Sequence, residues 1–525
     1  MRRLAEAALA ALALALAAPA NAEDLFANIK SGRPDVVKIS DGELQGYDAS
    51  GVRTYLGIPF AAPPVGDLRW RPPAAPAKWS GVRDAGAFGP SCVQTNTFGV
   101  MAVRSTSEDC LYLNVFAPSS ARDRLRPVMV WIHGGGLING RTDDYDARKL
   151  VVDGDVVVVS ITYRMNVFGY MAHPALDKEG HEFGNYGTMD QQAGLKWVQQ
   201  HIRAFGGDPG NVTVFGESAG GIAIMFNLVS PGAAGLFHKA ILQSGVSAAA
   251  QTPLPAAEKI GEDFATAMGC ADQTAACMRS KSVQDIIDKA GRFLNSAVRS
   301  VDGTVLPGQM QTLMAEGKFH KVPILLGNNL NEWTWFTSLT ELSTSAPMTA
   351  DDYEKRLVAT FGGERGPKIA AQYPVASQLS PSETFSHALT SWGFVCPSRR
   401  VMRSAEKNGV PVYVYEFMDK NAPQYFPPVS YPYGAAHTLE IRYIFQNYHG
   451  AAGVLKPLSA DQQKLSDAMV GYWTNFARTG DPNGSRLPAW PKWSAADEQT
   501  QLLDLQVKTA KDSGVDRKCD FWDTL

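Results

Sequence analysis

The feature that most constrains the fold is a β-branched segment that runs directly into a glycine-flanked serine. Residues 212–217 read as a strand, and an apolar helix begins immediately after Ser218. Gly216 and Gly220 lie two positions before and after this serine, where side chains would collide as strand and helix close up. Such a turn projects the serine hydroxyl clear of both elements. The pattern predicts Ser218 as a nucleophile, although glycines that serve only packing would give the same pattern.

Other segments predict a parallel sheet. Residues 128–132 are continuously apolar and residues 156–162 nearly so, which is typical of strands buried on both faces. Regions 253–315 and 348–404 read as helical insertions. We predict further strands at residues 239–243, 322–326 and 411–415. The chain therefore belongs to the α/β class, with a large, mostly parallel central sheet flanked by helices and capped by helical insertions.

The N-terminus has the pattern of an export signal. Arg2 and Arg3 give a positive start, residues 9–18 contain only alanine and leucine, and residues 20–22 form a small-x-small cleavage site. We predict residues 1–22 as a signal peptide and residues 23–525 as a single domain that is periplasmic or secreted. The apolar run is short for a bilayer span, so we expect no stable membrane insertion, with an uncleaved anchor as the alternative.

Composition excludes several classes of partner. The chain is 45% hydrophobic and 19% charged, with a net charge of −3 and no basic cluster, so nucleic acid is not an expected partner. Its six cysteines suit disulfides in an oxidising compartment, and the sequence alone permits fifteen pairings. Free buried thiols are the alternative. No cysteine or histidine has metal-ligand spacing, so we expect no metal and no cofactor. The sequence does not indicate which oligomeric state the protein has.

A serine nucleophile needs a base within hydrogen-bond reach and a third group that orients the base. His437 lies late in the chain, after a loop rich in proline and tyrosine. Glu332 follows the predicted strand 322–326, on the sheet edge where α/β proteins bind ligands. His437 could equally be a structural histidine, and Glu332 a solvated loop acid.

A candidate oxyanion site follows the first buried strand. Three glycines at residues 134–136 leave backbone N–H groups unshielded. The N–H groups of Gly135 and Gly136, together with that of Ala219, could bind the negative oxygen of a tetrahedral intermediate. The alternative is a flexible glycine loop without a binding role.

Taken together, these segments resemble the type-B carboxylesterase and cholinesterase family of the α/β-hydrolase superfamily, in its bacterial exported form. The resemblance implies an α/β-hydrolase fold with Ser218 as nucleophile, His437 as base and Glu332 as orienting acid. It also implies Gly135, Gly136 and Ala219 as oxyanion donors, and the disulfides Cys92–Cys110, Cys270–Cys277 and Cys396–Cys519. The matching segments follow the family's order over nearly the whole mature chain: residues 108–114, 133–136, 166–169, 184–191, 215–221, 243–245, 327–332, 434–440 and 473–482.

The chain departs from the family pattern at two places. The loop between Cys92 and Cys110 has only Phe98 as an aromatic, where cholinesterases place a tryptophan that stacks on a quaternary ammonium. Trp333 stands where the family usually has glycine after the acid, and its bulk could crowd the site or line an acyl pocket. Aromatic residues near the site predict a pocket for bulky or aromatic esters, with plain packing as the alternative: Trp333, Trp335, Phe336, Trp392 and Tyr433.

The sequence therefore predicts a serine carboxylic-ester hydrolase that acts through an acyl-enzyme on a small-molecule ester and is not a cholinesterase. The same machinery acting on a carbamate, an amide or a specialised natural ester is the alternative among enzymes. A catalytically silent recognition protein is the alternative outside them. If His437 is the base, activity should weaken below about pH 6.5, the ordinary histidine value.

Overall fold

The computed structural model describes residues 29–95, 103–120, 122–375, 378–446, 448, 456–511 and 514–525. The predicted signal peptide at residues 1–22 and the aromatic Phe98 both lie outside these ranges. No helix among the described residues combines the length and apolar composition that a bilayer span requires.

The strands form one large sheet and one small pair. In chain order they are β1 Arg33–Ile39, β2 Gly42–Ala49, β3 Val52–Pro59, β4 Val82–Asp84, β5 Tyr112–Pro118, β6 Arg126–Ile132, β7 Val157–Ile161, β8 Gly207–Glu217, β9 Lys239–Gln243, β10 Thr252–Pro253, β11 Ser300–Val301, β12 Ile324–Asn329, β13 Val412–Phe417, β14 Thr500–Leu503 and β15 Lys508–Ala510. Strands β10 and β11 pair with each other, and the others share a 13-stranded sheet.

The large sheet is parallel in its centre. Its order is β1-β2-β3-β5-β7-β6-β8-β9-β12-β13-β14-β15, with β4 beside β2. From β7 to β14 in this order every neighbouring pair is parallel. The flanking pairs along this order are antiparallel. The predicted α/β class is confirmed, with an antiparallel flank that the sequence reading did not include.

Burial on both faces explains the continuously apolar strands. Every residue of β6, β7, β9, β12 and β13 is buried. Along β6, Val128, Val130 and Ile132 pack into the core on one face of the sheet, whereas Met129 and Trp131 pack into the core on the other. Both sides therefore need apolar side chains, which removes the alternation of a half-exposed strand.

Helices cover both faces of the sheet and fill the insertions. Regions 253–315 and 348–404 contain helices, as predicted. A π-helical turn at Ser391–Val395 joins two of them. The α-helices are Arg148–Gly154, Asn166–Gly169, Pro174–Asp177, Tyr186–His201, Ala219–Val229, Leu254–Ala267, Ala275–Arg279, Val283–Leu294, Met310–Ala315, Trp333–Thr344, Ala350–Phe361, Arg365–Gln372, Pro381–Thr390, Cys396–Lys407, Ile441–Ile444, Ala460–Thr479 and Cys519–Trp522.

Three disulfides cross-link the chain, in the pairings that the resemblance implied. Cys92 bonds Cys110, Cys270 bonds Cys277, and Cys396 bonds Cys519. The last spans 123 residues and ties the helix Cys396–Lys407 to the C-terminal helix Cys519–Trp522. Because a cross-link that closes a long loop restricts the unfolded chain most, this bond contributes most in the chain-entropy account.

Candidate active site

Ser218 lies in a strained turn between β8 and the helix Ala219–Val229. Its backbone has φ 56° and ψ −122°, a region that costs a non-glycine residue about 1–3 kcal/mol. The turn is held by a hydrogen bond from Ser218 N to Gln243 O at 2.8 Å. The half-buried side chain borders a cavity, so the strain holds the hydroxyl at the cavity wall.

The glycines around this serine are required by close packing. A Cβ on Gly220 would lie 1.9 Å from Ile132 O, and one on Gly216 would lie 2.6 Å from the same oxygen. On the other side, Gly221 and Gly245 approach so closely that a Cβ on either would lie 2.5 Å from the other's Cα. These contacts press the turn against the ends of the neighbouring strands and fix its position.

Glu332 and His437 form a buried hydrogen-bonded pair. Glu332 lies three residues beyond β12 and directly precedes the helix Trp333–Thr344. His437 Nδ1 lies 2.6 Å from Glu332 Oε2, while Glu332 Oε1 accepts a hydrogen bond from Asn329 N at 2.6 Å. Both side chains are almost fully excluded from solvent, at 2% and 0% exposure. The carboxylate therefore orients the imidazole and fixes its Nδ1 as the donor.

Main-chain bonds hold the two loops of this pair together. Asn331 N donates to Ala435 O at 3.0 Å, and Asn331 Oδ1 accepts from Ala435 N at 3.1 Å. Asn329 Nδ2 donates to Ala436 O at 2.7 Å. Gly434 has φ 62°, and a Cβ there would lie 2.4 Å from Asn331 Oδ1. Segments about a hundred residues apart in sequence are therefore fixed in register at the edge of the sheet.

The other imidazole nitrogen points toward the serine turn. His437 Nε2 lies 3.2 Å from Oε1 of Glu217, the residue before Ser218. The angles are not those of a hydrogen bond, and neither atom has a hydrogen-bond partner. His437 is thus held firmly at one nitrogen and keeps the other unbonded beside the strained turn. Such a nitrogen can accept a proton.

Charges around His437 change its ionisation. Burial favours the neutral imidazole, but the carboxylates of Glu217 and Glu332 outweigh burial and raise the pKa of His437 from 6.5 to about 9. Burial itself raises the pKa of the Glu217 carboxyl well above its ordinary 4.5. Because these two groups lie side by side, they compete for one proton. The ordinary histidine value expected from the sequence therefore does not apply to this imidazole.

A third buried carboxyl, that of Glu440, belongs to the same cluster. Glu440 Oε2 accepts a hydrogen bond from Asn329 Nδ2 at 2.6 Å, and its Oε1 accepts one from Gln243 Nε2 at 3.2 Å. Gln243 in turn accepts a hydrogen bond from Trp473 Nε1 at 3.0 Å. Burial raises the pKa of Glu440 to about 7. Sequence reasoning missed the roles of Glu217 and Glu440, because either looks like an ordinary acid until the loops are brought together.

The glycine loop after β6 forms a tight, ordered turn. Gly135 and Gly136 have φ of 101° and 67°, where glycine avoids the strain of other residues. Gly135 O accepts hydrogen bonds from the N–H groups of Ile138 and Asn139 at 3.1 and 3.0 Å. Gly136 and Ala219 border the same cavity as Ser218. Gly136 and Ala219 therefore lie beside one space, whereas Gly135 is not among the described residues that line it.

This cavity has a volume of about 630 Å³ and a mostly apolar wall. Trp333, Phe336 and Trp392, all expected near the site, line it. Trp333 packs edge-on against Trp392, with ring centroids 6.0 Å apart, and covers Gly393, where a Cβ would lie 2.6 Å from the indole. The Trp333 indole is therefore part of the cavity wall.

Two of the aromatic residues expected in the pocket do not line the cavity. Trp335 is buried and stacks on the His437 ring at 6.1 Å, whereas Tyr433 is buried and donates its hydroxyl proton to Pro427 O at 2.7 Å. Neither lines the cavity, so we leave both out of the proposed pocket. Phe394, on the π-helical turn, lines the cavity and also lies 5.2 Å from the His437 ring. It therefore links the cavity with the imidazole.

One group among the described side chains has the spacing of metal ligands, namely Cys270, Asp272 and Cys277. The two cysteines are joined in a disulfide, so neither offers the thiolate that binds a metal. This group is not a metal site.

The fold and the site define a class that known proteins share. Residues 33–522 match the Carboxylesterase family. The mouse acylcarnitine hydrolase is 36% identical over 500 residues, covering 89% of this chain and 86% of its own. The human cocaine esterase is 35% identical over 498 residues, covering 88% and 85%. The solved structure of a "thermophylic PNB esterase" superposes with a TM-score of 0.78 at 31% identity, covering 91% of this chain and 98% of its own.

The chain belongs to the Carboxylesterase family, and it is a carboxylic ester hydrolase of the α/β-hydrolase superfamily. The resemblance seen in the sequence is thereby confirmed at the level of family, fold and type of reaction.

Proposed function

We propose that the chain hydrolyses carboxylic esters through an acyl-enzyme formed on Ser218. The observation that carries the proposal is the buried Glu332–His437 pair, 2.6 Å between Oε2 and Nδ1, whose free Nε2 adjoins the residue before Ser218. A strained serine, an oriented imidazole near the serine turn and main-chain donors are the parts that acyl transfer requires.

In the proposed first step, Ser218 Oγ attacks the ester carbonyl carbon while His437 Nε2 takes the hydroxyl proton. The step requires His437 Nε2 to come within hydrogen-bond reach of Ser218 Oγ, and such contacts commonly form only in the reacting complex. Negative charge on the former carbonyl oxygen is stabilised by the N–H groups of Gly135, Gly136 and Ala219. The carbon–oxygen bond to the alcohol then breaks, and His437 returns its proton to the leaving oxygen.

In the second step, water replaces the alcohol. His437 removes a proton from water as its oxygen attacks the acyl carbon, and the same N–H groups bind the oxyanion again. Collapse releases the carboxylic acid and returns the proton to Ser218 Oγ. Glu332 stabilises the imidazolium in both steps without itself taking the proton. The reaction uses no metal or cofactor.

We propose bulky or aromatic carboxylic esters as the substrates. The cavity volume of about 630 Å³ lies within the ordinary range for small-molecule sites, and aromatic rings dominate one wall. Choline esters fit poorly, because no aspartate or glutamate is among the described residues that line the cavity. The departure at Phe98, outside the described residues, points the same way.

We also propose that residues 1–22 direct export, leaving residues 23–525 as a single domain. The three disulfides support an oxidising destination. Expressed with its leader in a bacterium with a periplasm, the recovered protein should have the intact mass of residues 23–525 less six hydrogens. A retained leader or free thiols in that mass would contradict the proposal.

Replacement of the nucleophile tests the chemistry. Ser218→Ala should lower kcat by about 10³-fold or more on a p-nitrophenyl ester, because no other group can form the acyl-enzyme. An organophosphate should label Ser218, as read by peptide mass spectrometry. Ser244→Ala, at a second serine of the same cavity, is the matched control. If Ser244→Ala loses as much activity, or Ser218→Ala less than about tenfold, the nucleophile lies elsewhere.

The pH dependence tests His437 as base. A base must be neutral to accept a proton, and the raised pKa of His437 keeps it charged to higher pH. The acid limb of kcat/KM should therefore lie above pH 6.5, with activity rising as pH increases. Glu217→Gln removes a nearby negative charge and should move the limb toward lower pH.

Glu364→Gln, at a carboxylate with 86% of its side chain exposed, is the control and should leave the limb in place. A wild-type limb at or below pH 6.5 would show that His437 does not ionise as the buried carboxylates require.

A further inference from the structure

We propose that the cavity beside Ser218 selects esters that carry an anionic group, bound by Arg299 and Arg356. The inference rests on the proposed esterase function and adds the chemical class of its substrate. Both arginines line the same cavity as Ser218, among otherwise uncharged residues.

Arg299 is a half-buried cation without a counter-charge. It lies between the helix Val283–Leu294 and β11, and its guanidinium makes no hydrogen bond or ion pair with any described residue. Burial lowers its pKa, and no carboxylate opposes this effect. The side chain is half-buried and lines the cavity. A cation that is partly withdrawn from water without a counter-charge is stabilised by an anionic ligand.

Arg356 reaches the cavity from the helix Ala350–Phe361. Its guanidinium donates one hydrogen bond, to Thr340 Oγ1 at 3.0 Å, and makes no ion pair with a described residue. The acid one turn earlier, Asp352, is engaged in capping the helix with Thr349 at 2.8 Å. Burial lowers the pKa of Arg356 as well. Its remaining N–H groups are therefore available for a ligand.

Several buried arginines of this fold are neutralised by acids, whereas the buried Arg53 and Arg442 bond main-chain oxygens. Arg69 pairs with Glu108 at 2.5 Å, Arg164 with Asp190 at 2.8 Å, and Arg279 with Glu179 at 2.5 Å. In contrast, no described residue that lines the cavity is an aspartate, a glutamate or a lysine. The cavity is thus a net cationic space.

The walls increase the effect of these charges. Apolar surroundings screen poorly, so two guanidinium groups create a positive potential that attracts anions into the cavity. Guanidinium groups bind carboxylate, sulfate or phosphate through strong charge-assisted hydrogen bonds. The expected substrate is an ester with an apolar body and an anionic group at its far end, on either the acyl or the alcohol part.

Matched substrates separate charge from size. One pair is ethyl hydrogen suberate and its terminal amide, with the charge on the acyl part. The other is 4-butyryloxybenzoate and 4-butyryloxybenzamide, with the charge on the alcohol part. Hydrolysis is followed by titration of released acid at pH 8, where the carboxylates are ionised. The wild type should prefer the anionic member of at least one pair in kcat/KM.

Arg299→Gln should lower that preference by about 10- to 100-fold, the usual worth of hydrogen bonds to a charged group. Arg356→Gln should lower it in the same direction. The control is Arg292→Gln, which makes the same charge change at an exposed arginine on the helix Val283–Leu294. This variant should leave both the activity and the preference unchanged.

The outcomes separate the two proposals. Preference for the amide in both pairs, or an unchanged ratio in Arg299→Gln, overturns the anion inference while ester hydrolysis stands. If no ester is hydrolysed, the proposed function fails and the inference falls with it.

A measurement on the wild type covers the case in which Arg299→Gln does not fold. Hexyl sulfate should compete with a p-nitrophenyl ester at least about tenfold more strongly than neutral hexanol, in line with a charge-assisted contact. Equal inhibition constants overturn the inference.

Discussion

The site depends on an imidazole and a carboxylate that are held together out of contact with solvent. The 2.6 Å contact between His437 Nδ1 and Glu332 Oε2 lies at nearly complete burial, where an unpaired charge would be very costly. Such a pair is stable only if both partners are fixed. The bonds of Asn329 and Asn331 to the 435–436 segment supply that fixation. The unbonded Nε2 is left beside Glu217, the residue before Ser218.

The parallel centre of the sheet positions the other parts. Strands β6, β8, β9 and β12 run side by side and parallel, so their carboxyl ends lie on one edge of the sheet. The glycine loop follows β6, Ser218 follows β8, and Glu332 follows β12. Close glycine contacts allow the strained turn to pack against this edge without movement. The strained turn, the close glycine contacts and the hydrogen-bonded pair therefore lie together at one edge of the sheet.

The sequence predicted the features that depend on residues close together in the chain. The continuous apolar strands, the Ser218 turn and the glycine loop are visible because each requires particular residue types at fixed spacing. The helix Trp333–Thr344 was not predicted, since its tryptophans, phenylalanine and threonines favour strands when read alone. Strand β5 was missed because Asn114 interrupts it; the buried Asn114 amide bonds Thr142 and Ser160. Three features depend on tertiary packing: the contact of Glu217 with His437, the burial of Trp335 away from the cavity, and the unpaired Arg299. These features depend on how loops that are distant in sequence pack together, so the spacing of residues along the chain does not predict them.

The most direct measurement is a crystal structure of the protein after reaction with a fluorophosphonate ester. The account predicts phosphorus bonded to Ser218 Oγ, with the phosphoryl oxygen about 3 Å from the backbone nitrogens of Gly135, Gly136 and Ala219. His437 Nε2 should turn from Glu217 toward Ser218 Oγ while its Nδ1 stays on Glu332. An adduct on another residue, or a phosphoryl oxygen beyond reach of all three nitrogens, would contradict the account.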